Sequence, residues 1–209
     1  MNTNVNDLSQ IQQNGKMKLS KRMTTLLVVI AIVVILGGWA MGKYNSLVKL
    51  NEGCSSQWSK VESQYQRRMD LIPNLVNTVK GYAQHEQETL TKVIEARNQA
   101  KTSLQSGDVQ AVENTQAAVT SAMRDLNVVV ERYPELKANQ NFLELQSQLE
   151  GTENRIATER QRYADAVQQY NQKRNLFPTN IIANMFGFTA KEYYTAQKGS
   201  ENAPSVNFE

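Results

Sequence analysis

Residues 23–42 run without one charged side chain, and nothing else in the chain limits its folding as severely. At about 1.5 Å of rise per residue, a helix of that length crosses the roughly 30 Å hydrocarbon core of a bilayer, a solvent in which only a helix or a closed barrel satisfies its own backbone polar groups. The stretch therefore predicts a single transmembrane helix. A cleavable signal peptide fits less well, because its apolar region would be shorter, would end at a small-residue cleavage site and would not follow so long a polar leader. A lipoprotein signal fails too, since Asn51, Glu52 and Gly53 ahead of Cys54 are polar. Lys16, Lys18, Lys21 and Arg22 precede the span and outweigh Lys43 and Lys49 after it, which predicts a cytoplasmic N-terminus and an external remainder. Trp39 and Tyr44 fall where an interfacial aromatic belt belongs. Gly38 and Gly42 form a small-xxx-small pair of the kind that packs two spans together.

The other appendages follow from composition. Residues 1–22, rich in Asn and Gln until the basic flank, read as a disordered cytoplasmic leader, and residues 189–209 as a polar tail disordered at its end. Between them, residues 43–188 form one domain. The chain has 23 basic and 20 acidic residues; with the four flanking cations and Asp7 set aside, the two signs balance. The basic character thus belongs to the membrane flank, facing lipid head groups, and no nucleic-acid partner is implied. The single cysteine leaves the domain no internal disulfide. Cys54 reads as a small buried hydrophobe.

With only 10 Gly and 4 Pro in 209 residues, and no alternating runs long enough for strands, the domain reads as long amphipathic helices. Leu47, Leu50, Cys54, Trp58, Val61 and Tyr65 make the stripe of a first helix. Residues 66–76 read as the turn of a helical hairpin, because Pro73 disfavours the α region at Ile72 and Asp70 can cap a following helix. A second helix continuing the first through a kink at Pro73 is the alternative. That second helix, over about 71–104, carries Leu75, Val79, Tyr82, Leu90, Val93 and Arg97. Ser106, Gly107 and Asp108 end it and cap a third, with Val109, Val112, Val119, Met123, Leu126, Val130 and Tyr133, stopped by Pro134. A fourth starts between Glu135 and Asn141, where Asn141 with Glu144 resembles a capping box. Phe142, Leu145, Leu149, Ile156, Tyr163, Val167 and Tyr170 form its seam. Such helices, joined by short loops, predict an all-α fold: one transmembrane helix followed by an antiparallel up-down-up-down four-helix bundle.

Several runs carry a resemblance. Tyr44-Asn45-Ser46-Leu47-Val48, Gln66-Arg67-Arg68-Met69-Asp70-Leu71-Ile72-Pro73-Asn74-Leu75-Val76, Val79-Lys80-Gly81-Tyr82 with His85-Glu86, Glu95-Ala96-Arg97, Tyr133-Pro134-Glu135-Leu136-Lys137-Ala138-Asn139 and Leu149-Glu150-Gly151-Thr152-Glu153-Asn154 together resemble the bacterial LemA family. The likeness covers about residues 44–188. It implies a membrane-anchored, extracytoplasmic four-helix bundle on the bacterial inner membrane, and it supplies no catalytic residues.

The residues themselves offer little chemistry. His85 is the sole histidine, and a zincin helix would need a second where Thr89 stands. A count along antiparallel second and fourth helices places His85 and Glu86 opposite Glu150, Glu153 and Asn154, which reads as a buried polar network fixing helix register, with Gly151 allowing close approach. An envelope enzyme or metal site using His85, Glu86 and Glu153 is the competing reading. No phosphate loop or nucleophile pair is present, so no cofactor and no enzymatic role are expected. Arg67, Arg68, Asp70, Lys137 and Asn139 are expected to converge at the end of the bundle far from the bilayer, as a partner-binding tip. The function that follows is an interaction or scaffolding module with envelope or membrane proteins as partners. A self-assembling, membrane-shaping protein is its alternative. The apolar segment 179–188 is expected beside the membrane, either packed under the bundle or dipping into the interface.

Overall fold

The computed structural model describes residues 20–193; most of the leader and the end of the tail, both expected to be disordered, lie outside the described residues. Within them all regular structure is helical: α1 (Lys21–Lys80), α2 (Gln87–Ser106), α3 (Val109–Glu131), α4 (Pro134–Lys137), α5 (Gln140–Asn175) and α6 (Thr179–Met185). The apolar run forms the start of α1, which is long and apolar enough to cross a membrane and has none of that window buried. Helix α1 then continues without a break to Lys80, 60 residues in all and about 90 Å.

The expected hairpin turn at residues 66–76 is therefore not formed; Pro73 lies inside α1. Proline removes the donor that would reach the carbonyl four residues back, normally at a cost of about 3 kcal/mol. That carbonyl belongs to Met69, and Arg97 Nε, projecting from α2, donates to it at 3.1 Å. Met69, Ile72, Leu75 and Val76 around the proline are buried, so apolar burial also holds the segment helical. Asp70 caps nothing and accepts from Gln66 Nε2 at 2.8 Å within the same helix. The reversal comes at residues 81–86, anchored by the buried Ala83. What reads as one helix over 71–104 is the end of α1, a turn and α2.

The remaining corners follow local chemistry. Gly107, at φ +70°, closes α2 in the left-handed region, and the Asp108 carboxylate accepts from Gln110 N and Ala111 N to open α3. Helix α5 is capped by Asn139, whose side chain accepts from Phe142 N at 3.0 Å. The capping box expected at Asn141 is not used, because Asn141 already lies inside the helix.

Helices α1 and α5 pair with their numbering running in opposite senses: Tyr82 meets Asn139, Arg68 meets Glu153 and Trp58 meets Tyr163. Helix α2 packs on α1 and α3, whereas α3 and α5 barely meet. Two cores result. The one far from the span is gathered from α1, α2, α3, α4 and α5 around Met69, Ile72, Val79, Val93, Leu126 and Leu136. The one near the span is centred on α1 and α5, with Leu47, Cys54, Tyr65, Tyr163 and Tyr170 joined by Val112 of α3 and Ala183 of α6.

Candidate functional site

Between the two cores sits Arg68, 3% exposed. Its Nε lies 2.8 Å from Glu153 Oε1 on α5, and its Nη2 donates to Thr120 Oγ1 on α3 at 2.9 Å. One guanidinium thus ties three helices. Burial lowers its pKa and the Glu153 carboxylate opposes that; an arginine remains charged regardless. Tyr65, one turn nearer the span, is pushed up to about 12 chiefly by burial.

Arg68 forms part of the floor of a cleft of about 320 Å³ where α3 and α5 fail to close on each other. Leu75, Met123, Phe142 and Leu149 give it apolar walls, and Arg124, Asn127, Gln146 and Glu150 bring charge of both signs and amides. Met123 stays partly buried and Asn127 is exposed. An apolar trough with a mixed polar lining can receive an amphipathic helix.

The five residues expected at one tip are divided. Arg67 and Asp70 are exposed on α1, Arg68 is buried, and all three lie ten or more residues before the end of α1, at least about 15 Å short of the tip. Lys137 and Asn139 do reach it. There Lys137 Nζ meets Glu131 Oε2 at 2.6 Å, and Asn139 Nδ2 donates to Tyr82 Oη at 2.9 Å. The correction follows from Pro73: once α1 continues through it, the tip moves to residues 81–86.

The expected buried network is divided for the same reason. His85 is exposed in that turn, so it does not face α5 at mid-height. Glu86 joins the tip, where Arg132 Nη2 lies 2.9 Å from its carboxylate and Tyr133 Oη donates to it at 3.2 Å. Glu150 is exposed and accepts from Gln146, Asn154 is exposed, and Gly151 has open space beside its Cα rather than a close helix. Glu153 alone of the five engages a buried group. Among the described residues no three His, Cys, Asp or Glu side chains cluster to hold a metal ion. Cys54 is buried as expected, and burial raises its thiol pKa.

The sequence profile of the LemA family matches residues 57–208. The chain belongs to the LemA family. Magnetosome protein MamQ 2 of Paramagnetospirillum magneticum is 26% identical over 201 residues, covering 85% of this chain and 73% of its own length. Protein LemA of Metamycoplasma hominis is 25% identical over 143 residues, covering 68% and 64%. Magnetosome protein MamQ of Magnetospirillum gryphiswaldense is 22% identical over 175 residues, covering 73% and 64%. The family match begins beyond the span and takes in Pro73 with Arg97, which donates to the carbonyl the proline leaves open, and the Arg68–Glu153 pair.

Arg68 was recoverable from the pattern. Val61, Tyr65, Arg68 and Met69, Ile72, Leu75 and Val76, and Val79 recur every three or four residues straight through Pro73. An unbroken helical period across a proline is the mark of a helix that continues.

Proposed function

We propose that this protein is a membrane-anchored helical body of the bacterial envelope that works by holding a partner protein, not by catalysis. Its distal half is an up-down-up-down four-helix bundle left open along one seam. The observation that carries this reading is the unclosed α3–α5 seam, a cleft whose floor reaches the buried core side chains Leu75, Phe142 and Leu149 and whose rim brings the partly buried Met123 beside charges of both signs. A partner helix laid in that seam would complete the bundle. The flanking charge favours insertion in the inner membrane with the N-terminus in the cytoplasm and the body outside. Family membership supports a membrane-associated helical protein without naming a reaction.

The test is site-specific photocrosslinking in cells. A crosslinker at Asn127, on the seam, should capture a defined envelope or membrane protein; one at Gln99 on α2, away from the seam, should not. Met123→Glu in the seam should abolish capture. Equal capture from both positions would sink the seam as the binding surface, and recovery of this protein alone would turn the reading to self-assembly. The orientation is tested separately by impermeant thiol labelling: Gln105→Cys should react from outside intact cells and Asn6→Cys should not.

A further inference from the structure

Below the body, α6 and its flanks leave apolar side chains uncovered in a place where one surface is at hand. Phe177 is 78% exposed, Met185 67%, Leu176 60%, Phe186 56% and Ile181 51%. Ile181 and Met185, four apart, share one face of α6, while Ile182 and Ala183 are buried on the other. An amphipathic helix at a water boundary would turn polar groups outward; this one turns out an isoleucine and a methionine.

The ring contacts fix the height of this patch. Tyr44 meets Phe186 edge-on at 4.9 Å and Phe188 at 5.6 Å between centroids. Tyr44 stands two residues past the apolar run, about 3 Å along the helix axis, within the interfacial layer of roughly 5–7 Å on each side of the hydrocarbon core. The charge around it is mostly positive: residues 23–51 and 166–191 hold Lys43, Lys49, Lys173, Arg174 and Lys191 and no acidic residue, with Glu52, Asp165 and Glu192 standing at their far edges. Arg174 Nε holds the segment in place by donating to the Phe188 carbonyl at 2.8 Å.

We propose that α6, with Leu176, Phe177 and Phe186, docks on the bilayer that α1 enters, its apolar face at the boundary of head groups and acyl chains and the surrounding cations toward anionic head groups. This rests on the reading that α1 spans that bilayer. A single helix leaves a body free to swivel and tilt; a second contact about one helix diameter away removes that freedom. The seam between α3 and α5 then faces a fixed direction relative to the membrane, which makes α6 part of how the body presents itself.

The experiment uses the full chain reconstituted in vesicles of phosphatidylcholine and phosphatidylglycerol, with an environment-sensitive nitrobenzoxadiazole label on a single introduced cysteine and lipids carrying a nitroxide quencher either near the head group or deep in the chain. Cys54 is retained, since it is buried, and the unsubstituted chain serves as the labelling blank. Labels are placed at Met185→Cys, at Val33→Cys in the span and at Asn141→Cys at the far end of the body. The expected result is loss of Met185 fluorescence with the head-group quencher and less with the deep one, loss at Val33 with the deep quencher, and none at Asn141. Quenching at Val33 without quenching at Met185 overturns the proposal and leaves the span intact. A Met185 label shielded from water but untouched by either quencher also overturns it, by showing a second copy of the chain on the patch. No quenching at Val33 overturns the spanning reading itself.

Discussion

The two cores on either side of Arg68 are built by different means. The distal one is almost wholly aliphatic, with Phe142 the one ring among its buried residues: Ile72, Val79, Val93, Ala100, Val119 and Leu126 come from helices that surround them. The one near the span relies on large rings and on reach. Trp58 stacks at a tilt on Tyr163 at 5.1 Å, Tyr65 and Tyr170 are among the largest fully buried side chains, and Tyr170 Oη donates to the Thr189 carbonyl at 2.8 Å. Two helices meet along a line, and only long side chains lying across that line can bury enough area.

The polar groups divide in the same way. Among the described residues, Gln57, Trp58, Gln64, Glu113, Gln116, Glu159 and, in α6, Asn180 hold buried side-chain atoms without a hydrogen-bond partner, and none of them belongs to the distal core. Trp58 packs on the core near the span together with Leu104 and Val109, which flank the α2–α3 corner at Gly107, and Glu113 and Gln116 follow in α3; this corner is the junction beyond which α2 and α3 no longer contribute. A body surrounded by helices can exclude polar groups; a junction that changes helix number traps them. The difference teaches that this molecule's stability is unevenly spread, with the apolar body firm and the junction tuned by individual polar contacts.

Four tests sharpen or break that contrast. The largest effect is expected at the boundary. Arg68→Ala removes the cation that joins α1, α3 and α5 and should cost about 3 kcal/mol in denaturant unfolding of the full chain in detergent, since breaking a buried pair strands its partner. Glu153 is half exposed, which keeps the figure at the low end. A loss under about 1 kcal/mol, the behaviour of a surface charge, would show that the boundary is wet and the two cores are not separated by a structural knot.

Next comes the support of the body's long helix. Arg97→Ala leaves the Met69 carbonyl without its donor and should cost about 1–3 kcal/mol. Pro73→Ala restores the helix's own donor to that carbonyl. In the Pro73→Ala background Arg97→Ala should therefore cost markedly less, giving a coupling energy above about 0.5 kcal/mol in a double-mutant cycle. Additive losses would mean that Arg97 acts through packing alone.

This pair also shows what the sequence could and could not say. The long apolar helix at the start of α1, the all-helical class, the Gly107–Asp108 corner and the stripes from Leu47 to Tyr65 and from Phe142 to Tyr170 were legible, because apolar period and capping chemistry are local. The hairpin at residues 66–76 was misread because Pro73 and Asp70 are locally sound turn signals. What overrides them is Arg97, 24 residues on in the chain, and no local rule reports a donor arriving from another helix. Everything downstream moved with that one corner. His85 and Glu86 shifted from mid-height to the tip, and Arg68 from the tip to the interior. The open seam is less legible still, since it depends on how far α3 and α5 stand apart.

At the junction, Gln116→Leu tests whether trapped amides weaken it. Both polar atoms of Gln116 are buried and unpaired, so an apolar side chain of similar size should stabilise by about 1 kcal/mol. The same exchange at Asn127, which is exposed, should change stability by less than about 0.5 kcal/mol. A Gln116→Leu variant less stable than the parent would mean that ordered water or a neighbouring helix satisfies the amide.

The smallest effect is a pH dependence carried by Glu113. Burial pushes its carboxyl up from the ordinary 4.5 to about 7, against the lowering influence of Arg160 on α5. The folded state therefore holds its proton over a range in which the unfolded state has lost it, and the neutral form is the one the fold favours. Below about pH 4.5 both states are protonated and the group is silent. As pH rises from there to about 7, the unfolded chain gains stability by ionising and the fold does not, so stability falls across that window and levels above it. Tyr65 and Tyr163, which also feel Glu113, have burial-raised pKa values and stay neutral throughout. Because the carboxyl is only half buried, the loss should be under about 1 kcal/mol. It should appear as a difference between the parent and Glu113→Gln: melting temperatures compared at pH 5 and pH 7.5 should drop more for the parent. Equal drops would show that the Glu113 carboxyl is hydrated and that the junction is no more polar in its demands than the body beyond it.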